Sequence, residues 1–107
     1  MANTYVNAKV DLTTTDITTL YTCAALTTGI VKSILVSDDS GSGDTITVTI
    51  TNTSDAIFSL FKVKAVSANT TVELLTAPMV LAESEKITAQ AATANRLHVV
   101  VSYMEIS

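Results

Sequence analysis

Apolar and polar residues alternate along most of this chain with a period of two. The cleanest stretch is Asp44–Asn52, where Ile46, Val48 and Ile50 fall on one face and Thr45, Thr47, Thr49 and Thr51 on the other. β-Branched residues on both faces are stiff at χ1 and suit a pleated, half-buried strand. Similar runs predict strands over Thr4–Leu12, Ile17–Cys23, Ile30–Ser37, Ile57–Val66, Thr71–Leu75, Met79–Leu81, Lys86–Gln90 and Arg96–Ile106. In Ile30–Ser37 the strict alternation sets Val31, Ser33, Leu35 and Ser37 against Ile30, Lys32, Ile34 and Val36. In the last strand Leu97, Val99, Val101 and Tyr103 share a face.

The breaks between these runs are polar. Asp38–Asp44, with Gly41 and Gly43, reads as a turn closing a hairpin onto Thr45–Thr51. Ser54–Asp55 begins another connection, and Ala68–Thr70 makes a short turn. Pro78 has no N–H to give a ladder, so its segment belongs at a sheet edge or a crossing. Met79–Ala89 has charges but no helical apolar stripe, so no helix is expected. About eight short strands with frequent turn signals predict an all-β antiparallel sandwich of jelly-roll type. The chain reads as a single domain over residues 1–107, with 1–13 as an N-terminal arm or added edge strand.

Composition changes this picture in one respect. Of 107 residues 48% are hydrophobic and only 15% charged, against about a quarter charged in ordinary domains. Thr and Ser supply part of the missing polarity. A surface so poor in charge still suggests self-assembly or docking, which hides apolar area.

The net charge of −4 and six scattered basic residues argue against a nucleic-acid partner, which needs clustered Lys and Arg. No stretch approaches the ~18 apolar residues of a membrane span. The first residues lack the basic start and apolar run of a signal peptide, and Cys23 stands alone. Both features predict synthesis in a cytoplasm-like compartment.

Candidate chemistry is sparse. Asp38, Asp39 and Asp44 could offer oxygens to calcium, but no glutamate stands at the twelfth position of a calcium loop, so a structural turn is expected. His98 has no companion nucleophile signature, and one His with one Cys falls short of a zinc site. Cys23 has no basic neighbour to activate it and reads as a small buried hydrophobe. No catalytic, metal or cofactor residues are assigned, and an enzyme is not expected. Phe58 and Phe61 have opposite parity on one strand, which predicts one inside and one outside. Lys62 and Lys64 share parity with Phe58 and so put Phe58 outside. Tyr5, Val6, Phe58, Lys62 and Lys64 are therefore the candidate interface residues.

The order of segments resembles a group of small virion proteins of tailed bacteriophages. The segments concerned are Thr19–Thr22, Gly29–Ser37, the alternating Thr strand, Val72–Leu75, Pro78–Leu81, Lys86–Ala89 and Leu97–Ile106. The resemblance covers about Thr18 to Ser107. It departs at Cys23–Leu26, where a turn bearing Pro or Gly is more usual. It implies a β-sandwich that docks on the capsid as a cement or decoration protein, with the major capsid protein or other virion proteins as partners. It implies location in the virion after assembly in the host bacterial cytoplasm. The alternative it leaves is a tail, neck or fibre component with a carbohydrate-binding surface. A homodimer or homotrimer is expected, because small β subunits gather about symmetry axes.

Overall fold

The computed structural model describes residues 3–54 and 56–107. Met1 and Ala2 of the expected arm, and Asp55 of the Ser54–Asp55 connection, lie outside the described residues. Among the described residues nine strands run in chain order: β1 (Asn3–Leu12), β2 (Thr18–Thr22), β3 (Thr28–Asp38), β4 (Asp44–Thr51), β5 (Ile57–Val66), β6 (Thr71–Glu73), β7 (Met79–Leu81), β8 (Lys86–Ala91) and β9 (Leu97–Ile106). They form two antiparallel sheets, an all-β sandwich as the alternation predicts. One sheet has the order β1-β9-β3-β6, with β7 also pairing β3; the other has the order β2-β8-β4-β5.

This order has a simple logic. All but two connections carry the chain from one sheet to the other; only β4–β5 and β6–β7 remain within a sheet. If β6 and β7 are counted as one strand interrupted around Pro78, eight strands wind as a jelly roll. The proline thus lies in a break at a sheet edge, where its missing N–H leaves no ladder incomplete.

The Asp38–Asp44 segment departs from expectation. β3 and β4 lie in different sheets, so the segment arches over the end of the sandwich and closes no hairpin. Gly41 and Gly43, at φ 81° and 72°, supply the left-handed backbone of this arch. Arg96 Nη1 donates to the Gly43 carbonyl at 3.0 Å and ties the arch to the start of β9.

The core lies between the sheets. Val31, Ile34, Val36, Ile46, Val48, Leu81, Ile87, Leu97 and Val101 are fully buried in it. The faces of β4 and β9 follow the predicted alternation. In β3 the phase switches, because Gly29 and Val31 are buried and then Ile34, Val36 and Asp38. A β-bulge between Val31 and Ser33 inserts Lys32, and one extra residue reverses every later side chain. Strict alternation could not anticipate that shift.

Glu73 holds the chain just beyond this bulge. Its carboxylate accepts hydrogen bonds from Ser33 Oγ, from Ile34 N–H at 2.9 Å and from Leu75 N–H at 3.3 Å. Glu73→Ala should lower stability by about 1–2 kcal/mol, because the part-buried Ile34 N–H loses its acceptor. Urea denaturation would measure it, and Glu73→Gln should recover part of the loss.

Candidate interaction surface

Four sheet edges bound the sandwich, and they differ in character. β2 is five residues long and bulged between Thr19 and Tyr21. β6 and β7 have three residues each. β5 and β1 are long, at ten residues each, and mostly exposed. They lie on opposite flanks, β1 above β2 and β5 beside β3.

β5 is irregular. Its pairing with β4 shifts twice, around Val48, so that Ile46 opposes Lys64, Val48 opposes Phe61 and Ile50 opposes Phe58. Directly paired residues project from one face. Phe58 and Phe61 therefore project from the same face, where the parity argument sets them on opposite faces. Phe61 packs against the core, while Phe58 stays 55% exposed at the margin. The extra residues also break the shared parity of Lys62 with Phe58. Both lysines are exposed. Val63 takes φ 53°, a conformation unfavourable for a β-branched residue. Its N–H is held by Thr47 Oγ1 at 3.0 Å. Ile57, Leu60 and Val63 add exposed apolar surface along this strand.

β1 is regular. Its ten residues pair with β9 from Asn3–Ile106 to Leu12–Leu97 without a register shift. Leu12 is buried, but Asn3–Asn7 are exposed on both faces. The reason is geometric, since β2 on the same flank is half as long as β1. Tyr5, 71% exposed, and Val6 line a shallow groove of about 260 Å³ with Asn7, Lys32, Ser102 and Tyr103. Lys32 Nζ lies 5.8 Å from the Tyr5 ring centroid, within cation–π range. The bulge that exposes Lys32 is invisible in the alternation, and so is its approach to Tyr5.

The other candidates sit apart from this surface. His98 Nε2 is 3.3 Å from Asp11 Oδ1, and its Nδ1 is 3.7 Å from Asp39 Oδ1, on the half-exposed outer face of the β1 sheet. Cys23 is buried, with its Sγ 3.4 Å from Thr27 Oγ1. The three aspartates of the arch turn to separate partners: Asp38 to Ser40, Asp39 to His98 and Asp44 Oδ2 to the Thr93 N–H at 2.9 Å. Among the described residues no group of three His, Cys, Asp or Glu side chains is placed to hold a metal ion.

Asp38 organises the arch from within. It is 2% exposed, and its Oδ1 accepts from the Ser40 N–H at 2.7 Å and Oγ at 2.8 Å, while Oδ2 is buried without a hydrogen-bond partner. Desolvation pushes its pKa upward, but the bonds from Ser40, with the Gly41 and Gly43 N–H dipoles nearby, outweigh it. The folded value lies below the ordinary 3.8. A depressed carboxylate pKa gives stability that is complete above the unfolded value and lost as pH falls through the folded one. Acid denaturation should therefore show a loss of stability below about pH 4 that is absent in Asp38→Asn. The Asn variant itself should be less stable at neutral pH. Equal acid profiles would overturn this role.

No family model matches the sequence, and no curated protein matches it. Solved structures show the fold. A protein from Bacillus endospore appendages, described as a novel family of disulfide-linked pili, is similar over 99% of this chain and 87% of its own, with TM-score 0.60 at 9% identity. A chain of infectious bursal disease virus, Gx strain, is similar over 96% of this chain, with TM-score 0.57 at 12% identity; the match spans only 32% of the viral chain. A chain from the cyanophage Pam1 capsid asymmetric unit aligns over 96% of this one, with TM-score 0.46 at 18% identity.

Proposed function

We propose that this chain is a structural subunit of an assembled particle, and specifically a cement or decoration protein on the head of a tailed phage. The observation that carries the reading is the pair of long exposed edge strands on opposite flanks of one rigid sandwich. Such a body can touch two neighbours at once, and many weak contacts repeated over a shell make a durable attachment. The virion proteins that the sequence resembles supply the particle. The pilus and virus proteins that share the fold are in keeping with a building-block role. On this reading the chain acts by binding and has no catalytic role.

Covalent linkage of subunits is a poor fit. The only cysteine is Cys23, buried and held by Thr27 and Leu81. A disulfide-linked filament would need that thiol at the surface.

Co-sedimentation of the purified chain with shells assembled from the major capsid protein of the same phage tests the proposal. Saturable binding at a fixed ratio to capsid subunits, with raised heat resistance of the shell, is the expected result. Absence of binding, with the chain found by antibody labelling only on tails or fibres, would move it to the alternative.

A further inference from the structure

The two long edges are not equivalent. β5 carries the devices that discourage edge-to-edge pairing: two pairing shifts, the left-handed Val63 and two lysines. The short, bulged β2 and the three-residue β6 and β7 offer little length. β1 has fewer of these protections, with Lys9 its one lysine and no pairing shift. From Asn3 to Ala8 it has no charge, no proline and no bulge, and among the described residues no strand covers its outer edge. Its row of outward N–H and C=O groups is a template for one more strand.

We propose that a second copy of this chain supplies that strand, through antiparallel β1–β1 pairing about a two-fold axis at Asn7. This names a self-contact of the subunit proposed above and rests on that reading. Head-to-tail addition would require the guarded β5 edge, so the symmetric contact is favoured.

The charge pattern narrows the register, and the Lys9–Asn7 bond favours Asn7 within what remains. Asn3, Tyr5, Asn7, Lys9 and Asp11 alternate on the outer face, and Val6, Ala8, Val10 and Leu12 on the inner one. A dyad at Lys9 or Asp11 would set like charges together, which is unfavourable. With the dyad at Asn7, Asn3 opposes Asp11 of the second copy, Tyr5 opposes Lys9, and Asn7 opposes itself. On the inner face Val6 opposes Ala8. Each charge meets a polar or aromatic partner, and nine residues of each strand can pair. Lys9 Nζ already reaches toward this centre, bonding Asn7 Oδ1 at 2.8 Å. The two β1 sheets would become one continuous sheet across the dimer.

Light scattering of the purified chain over a range of concentrations tests this, and the expected mass is twice that of the chain. Asn7→Lys places two cations at the dyad on an exposed position and should weaken the dimer several-fold. Asn7→Glu alone should do the same, and an equimolar mixture of the two variants should restore dimers. Asn7→Cys should cross-link on oxidation, because opposed Cβ atoms lie about 4.5–5.5 Å apart, near disulfide reach. Ser59→Cys on β5 should not. A monomeric wild type, or a dimer indifferent to both Asn7 charges and not cross-linked by Asn7→Cys, would overturn the pairing. A monomer that still binds shells would do so while leaving the structural role intact.

Discussion

Ile87→Ala is expected to destabilise the chain by about 2–5 kcal/mol, the range for deleting a buried branched side chain. Ile87 is 0% exposed and sits on β8, which lies between β2 and β4. Its cross-strand partners are Tyr21 on one side and Ile50 on the other. β8 itself is held by ladders on both sides, so the site has little freedom to collapse around the missing atoms. The cost should therefore include a cavity contribution besides the lost transfer energy. For a chain of 107 residues this corresponds to a fall in Tm of about 10–30 °C. Ile17→Ala is the control, because Ile17 is 63% exposed just outside β2. Its effect should stay within about 0.5 kcal/mol. Equal effects from the two would mean that the sheets do not pack as described.

That contrast between two isoleucines also shows what periodicity can and cannot reveal. A period of two marks a strand and its two faces, which is why the strands, the all-β class and the core positions of β4 and β9 were legible. Ile17, placed at the head of a strand by its residue type, falls outside β2. Nothing local distinguishes it from a core position. The order of strands was not legible either. Asp, Ser and Gly at residues 38–44 say that the chain turns; they do not say whether it returns beside β3 or crosses to the other sheet. That choice is made by distant partners, since β9 and the β6–β7 pair occupy both sides of β3.

The same limit applies to the candidate surface. The exposure of Tyr5, Val6, Phe58, Lys62 and Lys64 follows from residue type and strand position. Their contacts depend on bulges. One extra residue at Lys32 brings its ammonium toward Tyr5, and extra residues in β5 bring Phe58 and Phe61 to one face. A bulge is a property of two paired strands, so one strand read alone does not display it. The difference between a guarded β5 and an open β1 likewise emerges only from pairing.

Gly29→Val tests the most crowded place in the sandwich and is expected to cost about 3 kcal/mol, the upper part of the range for overpacking. A Cβ at Gly29 would lie 2.9 Å from Tyr21 Oη, 3.2 Å from Tyr21 Cε2 and 3.5 Å from Cys23 Sγ. The phenol cannot easily step aside. Its ring stacks on Tyr103 with centroids 3.8 Å apart, and its hydroxyl donates to Glu105 Oε2 at 2.8 Å. Burial first, and then that hydrogen bond, raise the Tyr21 pKa above its ordinary value, so the hydroxyl remains a neutral donor at working pH. Glycine at this point therefore serves a close approach between sheets and not a turn; Gly41 and Gly43, with positive φ, serve the arch. The chain contains three tyrosines and no tryptophan. Near-ultraviolet circular dichroism thus reports mainly on this stacked pair and the exposed Tyr5. Gly29→Val should lose most of that signal together with its stability, and Gly29→Ala should fall between it and the wild type. Tyr21→Phe, which keeps the ring but loses the bond to Glu105, should retain the stack at a smaller cost of about 1 kcal/mol. A Gly29→Val variant with wild-type stability and an unchanged tyrosine spectrum would mean that the Tyr21 ring does not lie over Gly29. The contact between the two sheets at the β1 end of the molecule would then have to be redrawn.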